Sequence, residues 1–317
     1  MALHRLQPLT VGVPDVAGAA DYYIDFGLEQ VAPGRFATVE GGEQFFLEYS
    51  PVRRLLGMAV ATDDGDDLDR ISANLDRLQL PCERDTGSLR TREPIAGVSV
   101  EVRVAPRLTR VTVAATSYNG PGRLDRAGTR APVLSRTDPV RPLALGHVVI
   151  GSVEQESTQR FFTEGLGFKV SDVVPGTAAF MRCSTDHHNV LVQQAPLNFL
   201  HHTSWQVTDV EEVGRGATSM LTEHPERHVW GLGRHHNGSH GQRFGRCRRL
   251  FPPPDCPGPQ RKIVCVRVDR GVTMVVCHVL LKSLSPKLSR FPWRVGISPG
   301  WMAGRPSNAR RGAISRR

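Results

Sequence analysis

At 317 residues, with 39% hydrophobic side chains, the chain is long enough for two domains that each bury a core. No run of eighteen apolar residues occurs, because IVCVRVDRGVTMVVCHVLL is broken by Arg267, Asp269 and Arg270, and the opening MALHRLQPLTVGV lacks the apolar stretch and cleavage site of a secretion signal; a cytoplasmic protein with no membrane partner is expected. The net charge of +9 is no uniform signature of a nucleic-acid binder: residues 241–317 hold 17 Lys+Arg against Asp255 and Asp269, while the first 240 residues carry 23 against 29 acids.

In LTVGVPDVAGAADYYIDFGLEQV, 9–31, the alternating segment from Thr10 to Val13 predicts a strand. Asp15 complements the dipole of a helix start, Tyr22 and Tyr23 supply the buried end of that helix, and Gly27 closes it in a left-handed cap. A second strand and amphipathic helix follow in GMAVATDDGDDLDRISANLDRL, 57–78, and REPIAGVSVEVRV, 92–104, adds a turn and an alternating strand. Residues 107–142, rich in Arg, Gly, Pro and Thr, predict a connection. The pattern then returns. HVVIGSVEQESTQRFFTEGLGFKV, 147–170, repeats the strand, the acidic helix start at Glu154, the aromatic pair Phe161–Phe162 and the closing Gly167, and HHTSWQVTDVEEVGRGATSML, 201–221, repeats the second strand and helix. Four strand–helix–strand units, two per half, predict an α+β chain with an N-terminal domain over 1–106, the connection 107–142, a C-terminal domain over 143–240 and a tail over 241–317.

The tail is a different text. Cys247, Cys256, Cys265 and Cys277 crowd there with gaps of 9, 9 and 12, which match no Cys-x-x-Cys zinc spacing, so free thiols are expected. No Glu follows Glu226, and after FPPPDCPGP no helix or strand period is legible, so the tail is expected to be disordered or non-native. Its charge comes without interleaved aromatics and predicts no specific nucleic-acid partner.

The histidines carry the chemistry. His147 opens the first strand of the third unit and His202 that of the fourth, so paired units bring both imidazoles into one sheet. The first half has Pro8 at the place of His147, no His in the 52–62 strand, and His4 as its one histidine. A single His in LGHVV is ordinarily a structural strand residue; two at matching repeat positions read as a donor pair. His224 and His228 mimic a metal pair at i, i+4, but Pro225 between them predicts a helix end.

The pieces LGHVVIGSV, GLGF, DHHNVLVQQAPLNFLHHTSWQV and WGLGRHHNGS resemble the type I extradiol ring-cleaving dioxygenases of the vicinal oxygen chelate (glyoxalase/bleomycin resistance/dioxygenase) superfamily. The resemblance implies repeated βαβββ units, two per domain, forming curved open sheets or barrels, with a noncatalytic first domain and a metal-bearing second one. It implies Fe(II) held by His147, His202 and a carboxylate, leaving open positions for a catechol-type substrate and dioxygen. His188 in DHHNV matches the acid/base histidine beside dioxygen, and His235 in GRHH matches the histidine that contacts the substrate hydroxyl. The neighbours His187, His201 and His236 are expected on the opposite face if their segments are strands. The intact family implies a homo-oligomer. A noncatalytic small-molecule binding or interaction member of the superfamily is the alternative.

The resemblance stops near Ser239. In the family the run continues through aromatic residues and a tyrosine to a last strand bearing the glutamate ligand; here GQRFGRCRRLFPPPDC follows, and no tyrosine occurs after Tyr118. Asp255 stands near the expected place, but three prolines before it argue against a central strand. Glu101 holds the analogous position in the second unit. Loss of the third ligand and of the closing strand predicts a crippled enzyme with an unpaired sheet edge, and the composition break reads as a change of frame.

Overall fold

The computed structural model describes residues 3–108, 136–222, 224–227, 263–269 and 272–278. His228, His235, His236, the NGS of 237–239 and Asp255 lie outside the described residues. Two curved sheets, each drawn from one half of the chain, carry the helices on their flanks, and no described helix is long and apolar enough to cross a membrane.

The first unit runs β1 (Leu3–Val13), α1 (Val16–Asp25), β2 (Glu29–Ala32), β3 (Arg35–Thr38) and β4 (Gly42–Tyr49). The second runs β5 (Arg54–Thr62), α2 (Gly65–Arg77), β6 (Cys82–Arg84), β7 (Ser88–Arg92) and β8 (Ser99–Val104). Their sheet has the order β2-β3-β4-β1-β5-β8-β7-β6. In each unit the first strand pairs in parallel with the last, β1 with β4 and β5 with β8, and antiparallel β1–β5 pairing joins the units at the centre.

The helix punctuation follows the sequence. Asp15 accepts a bond from Gly18 N at 2.9 Å and caps α1, and Asp64 caps α2 through Asp67 N at 3.0 Å. Tyr22 and Tyr23 are buried, as are Phe161 and Phe162. Gly27 and Gly167 have φ of 98° and 85°, so each cap is left-handed as expected. At Gly27 glycine is also required by space: a Cβ would meet the Val140 carbonyl oxygen at 2.0 Å.

The third unit repeats the plan in β9 (Ala144–Ser152), α3 (Gln155–Arg160) continued by a wide turn over Phe161–Gly165, β10 (Lys169–Val174), β11 (Ala178–Arg182) and β12 (Val190–Gln194), with β9 parallel to β12. The fourth supplies β13 (Phe199–Val207) and α4 (Val210–Thr222), then β14 (Ile263–Asp269) and β15 (Val272–His278). The order is β10-β11-β12-β9-β13-β15-β14. This corrects the expectation of an unpaired sheet edge. The edge of β13 is not bare, because β15 pairs with it antiparallel from Thr203↔Cys277 to Val207↔Thr273, and β14 pairs with β15 in turn. The reason is legible once the Pro-rich flank is set aside: IVCVRVD and VTMVVCH are β-branched runs separated by Arg270-Gly271, and an exposed ladder edge draws such a hairpin onto itself.

The two halves share one core. Trp205 of β13 is fully buried and packs edge-on against Phe45 and Phe26, with centroids 5.7 and 6.4 Å away. Polar bonds cross at the same level: Leu145 N donates to Gln44 Oε1 at 2.7 Å, Asn198 Nδ2 to the Ile95 carbonyl at 2.6 Å, and Thr158 Oγ1 to the fully buried Glu93 carboxylate at 3.0 Å. That carboxylate also accepts from the Ile95 and Ala96 amides, so its burial is matched by three donors.

Candidate metal centre

β9 and β13 lie side by side at the middle of the second sheet, with Ser204 opposite His147 and Val149 opposite His202. From these strands the two imidazoles converge until His147 Nε2 and His202 Nε2 are 3.3 Å apart. Two nitrogens each about 2.1 Å from one ion, at an angle of about 90–110°, would lie about 3.0–3.4 Å apart, so the spacing suits neighbouring positions on a single metal. His147 is 2% exposed, His188 3% and His202 6%, which keeps the cluster out of bulk water.

His188 comes from the loop between β11 and β12. Its ring centroid is 4.2 Å from that of His147, and Phe180 packs edge-on against its other side at 5.1 Å. Asn189 fixes this placement. Its Oδ1 accepts from Cys183 N at 2.9 Å and Ser184 N at 3.0 Å, its Nδ2 donates to the Gly146 carbonyl at 3.2 Å, and its carbonyl accepts from Val148 N at 2.9 Å. The residue was not singled out from sequence; an Asn directly after the His pair in a polar loop was the available signal.

The expectation that His187 and His201 turn away is corrected. His187 lies in a loop, not a strand, and its Nδ1 is 3.1 Å from His188 Nδ1. His201 sits where the β13–β9 register shifts between Leu200 and His202, and this bulge brings its Nδ1 to 2.7 Å from His202 Nδ1. Burial lowers His201 from the ordinary imidazole value to about 4, so it is neutral near pH 7. Burial likewise raises the Cys183 thiol, which makes it an inert core residue rather than a thiolate ligand. His224 lies just beyond α4, beside the single turn Pro225–Arg227, as Pro225 predicted for a helix end.

The third donor is the difficulty. Among the described residues no group of three or more His, Cys, Asp or Glu is arranged to hold a metal ion. The strand that takes the closing place beside β13 reads VTMVVCH and brings no carboxylate; by register His278 stands opposite His202. The described donors therefore fit two positions of the facial triad and not the third.

Residues 144–241 match the model of the Glyoxalase/Bleomycin resistance protein/Dioxygenase superfamily. The chain is 28% identical over 253 residues to Metapyrocatechase 2 of Cupriavidus necator, covering 75% of this chain and 76% of that protein. It is 35% identical over 83 residues to a 2,2',3-trihydroxybiphenyl dioxygenase of Sphingomonas paucimobilis, covering 24% of this chain and 28% of that one. The solved 2,2',3-trihydroxybiphenyl 1,2-dioxygenase of Sphingomonas wittichii strain RW1 superposes with a TM-score of 0.55 over 75% of this chain and 84% of that chain, at 20% identity. Over residues 144–241 the chain is thus similar to the vicinal oxygen chelate superfamily, and over three quarters of its length it resembles an extradiol dioxygenase in sequence and fold.

Proposed function

We propose that this chain derives from an Fe(II)-dependent extradiol dioxygenase acting with dioxygen on a catechol-type aromatic diol, and that it is crippled by the absence of the third ligand. The observation that carries the reading is the 3.3 Å approach of His147 Nε2 and His202 Nε2 from matching strands of the repeat. In this reading those two side chains are metal ligands. His188, packed on His147, can hold or release a proton beside the centre, and His235 contacts the substrate hydroxyl. Two neutral imidazoles supply no charge to a divalent cation, so retention in this chain is weak. A cytoplasmic location and a homo-oligomer in the intact form complete the proposal.

The test begins with the coding DNA of codons 236–265. One of the other two forward frames is expected to encode an aromatic cluster with a tyrosine and, downstream, a glutamate. A chain recoded in that frame is expected to cleave catechol with Fe(II), and His188→Ala in it to lower kcat by about 10²-fold or more. Absence of the cluster and glutamate from both frames, or catechol cleavage by the present chain at the recoded chain's rate, overturns the proposal.

A further inference from the structure

A cavity of about 490 Å³ opens on the face of the first sheet, lined by residues of β1, β4, β5, β6, β7 and β8. The repeat register gives its position. Leu9 pairs in parallel with Phe45 and antiparallel with Met58, as Val148 pairs with Val190 and Thr203. Pro8 and Gly57 therefore stand where the second sheet has His147 and His202, and both line the cavity. The first sheet has the hollow without the imidazoles, so metal chemistry is not what this hollow serves.

Its charged lining is mixed, with three arginines against Glu83 and Glu101, and Glu83 stands opposite Arg90 in the ladder. Arg90 and Arg92 alternate along β7 and face the same side, and Arg103 joins them from β8. The Glu101 carboxylate, 17% exposed, meets Arg90 Nη2 at 3.1 Å and is also held by Arg103. Arg92 is the one arginine of the lining without an acid partner among the described residues. A guanidinium on the wall of the hollow with no carboxylate of its own offers a forked pair of donors to an anion. Pro8 and Phe46, both half-buried, make the lining beside them apolar.

We propose that this cavity binds a small organic monocarboxylate with a compact apolar body. Arg92 takes the carboxylate in a forked pair of hydrogen bonds, and the body lies against Phe46 and Pro8. Glu101 is the internal competitor that occupies Arg90 and Arg103, so the site is held below its full affinity. The volume falls within the range of about 300–1,000 Å³ common to small-molecule sites. This inference is independent of the metal centre, since no residue of the cavity belongs to the second sheet.

The experiment is calorimetric titration of the full chain with benzoate, beside acetate, which has the charge without the ring, and benzyl alcohol, which has the ring without the charge. Benzoate is expected to saturate one site with a Kd of about 1 mM or tighter, and each control to bind about tenfold more weakly or worse. Arg92→Gln is expected to weaken benzoate about tenfold, and Glu101→Gln, by releasing Arg90 and Arg103, to tighten it. Arg92 is exposed, so its replacement leaves the core intact and keeps the test available if Glu101→Gln folds poorly. No saturable benzoate binding up to about 10 mM overturns the proposal, as does an unchanged affinity in Arg92→Gln. Acetate binding as tightly as benzoate overturns the apolar half, and benzyl alcohol doing so overturns the arginine half.

Discussion

β5 is closed in parallel by β8, from Gly57↔Ser99 to Thr62↔Val104, whereas β13, at the same place in the second sheet, is met antiparallel by β15. Three units of four end with a strand that has crossed over a helix and returned in parallel, and the fourth ends with a hairpin. A parallel return needs a long, specifically patterned connection; an antiparallel hairpin needs only two β-branched runs and a turn. The difference teaches that an open sheet edge can recruit a strand that satisfies its backbone without delivering the side chain its site requires. Ladder pairing is indifferent to sequence, and ligation is not.

The largest effect is expected from matched proline substitutions. Val102 lies opposite Val60 in β8, and Val275 lies opposite Trp205 in β15, at the equivalent place. Val102→Pro removes a ladder donor inside a strand paired on both sides and is expected to cost about 3 kcal/mol or more, enough to unfold both sheets through their shared core. Val275→Pro is expected to release the hairpin alone, leaving hydrogen-exchange protection of β1 and β5 unchanged. Equal loss of protection across both sheets in the two variants would break the comparison.

Next comes pH. His201 has Leu56 at its matching position in the first sheet, so only the second sheet places an imidazole there. Its folded value of about 4 lies below the ordinary 6.5, so between those values the unfolded chain binds the extra proton. Stability is therefore complete above about pH 6.5 and falls as pH drops toward 4, by roughly 3 kcal/mol in all. Denaturant midpoints across this window are expected to flatten in His201→Gln; an unaltered slope would remove His201 as the cause.

A smaller effect separates two helix starts that look alike in sequence. Asp15 bonds the Gly18 amide, while Glu154 caps no amide and its carboxylate accepts from Ser157 Oγ at 3.1 Å. Asp15→Ala is expected to cost about 1 kcal/mol and Glu154→Ala a few tenths, measured by urea titration. Equal costs would mean that charge at the dipole, not the cap bond, carries both.

The repeat was legible because its signals are local: alternation, an acid at the helix start, a buried aromatic pair and a closing glycine recur in both halves. The convergence of His147 and His202 was legible for the same reason, since matching repeat positions must share a sheet. What escaped depends on partners distant in sequence. Alternation assumes a regular strand, so the bulge that turns His201 toward His202 was invisible. Nothing around Trp205 says that it packs on Phe45, 160 residues earlier in the chain. The hairpin of β14 and β15 was obscured by prolines that precede it, and by a composition that points to disorder when averaged over the tail.

Anaerobic equilibrium dialysis against Fe(II) tests the two-donor centre most directly. With His147 and His202 as the only described donors at the site, the chain is expected to retain well under one equivalent at about 1 µM free Fe(II), and His147→Ala or His202→Ala to remove what is retained. One full equivalent held at that concentration, and lost in both variants, would show that the tail supplies a third ligand and would contradict the account.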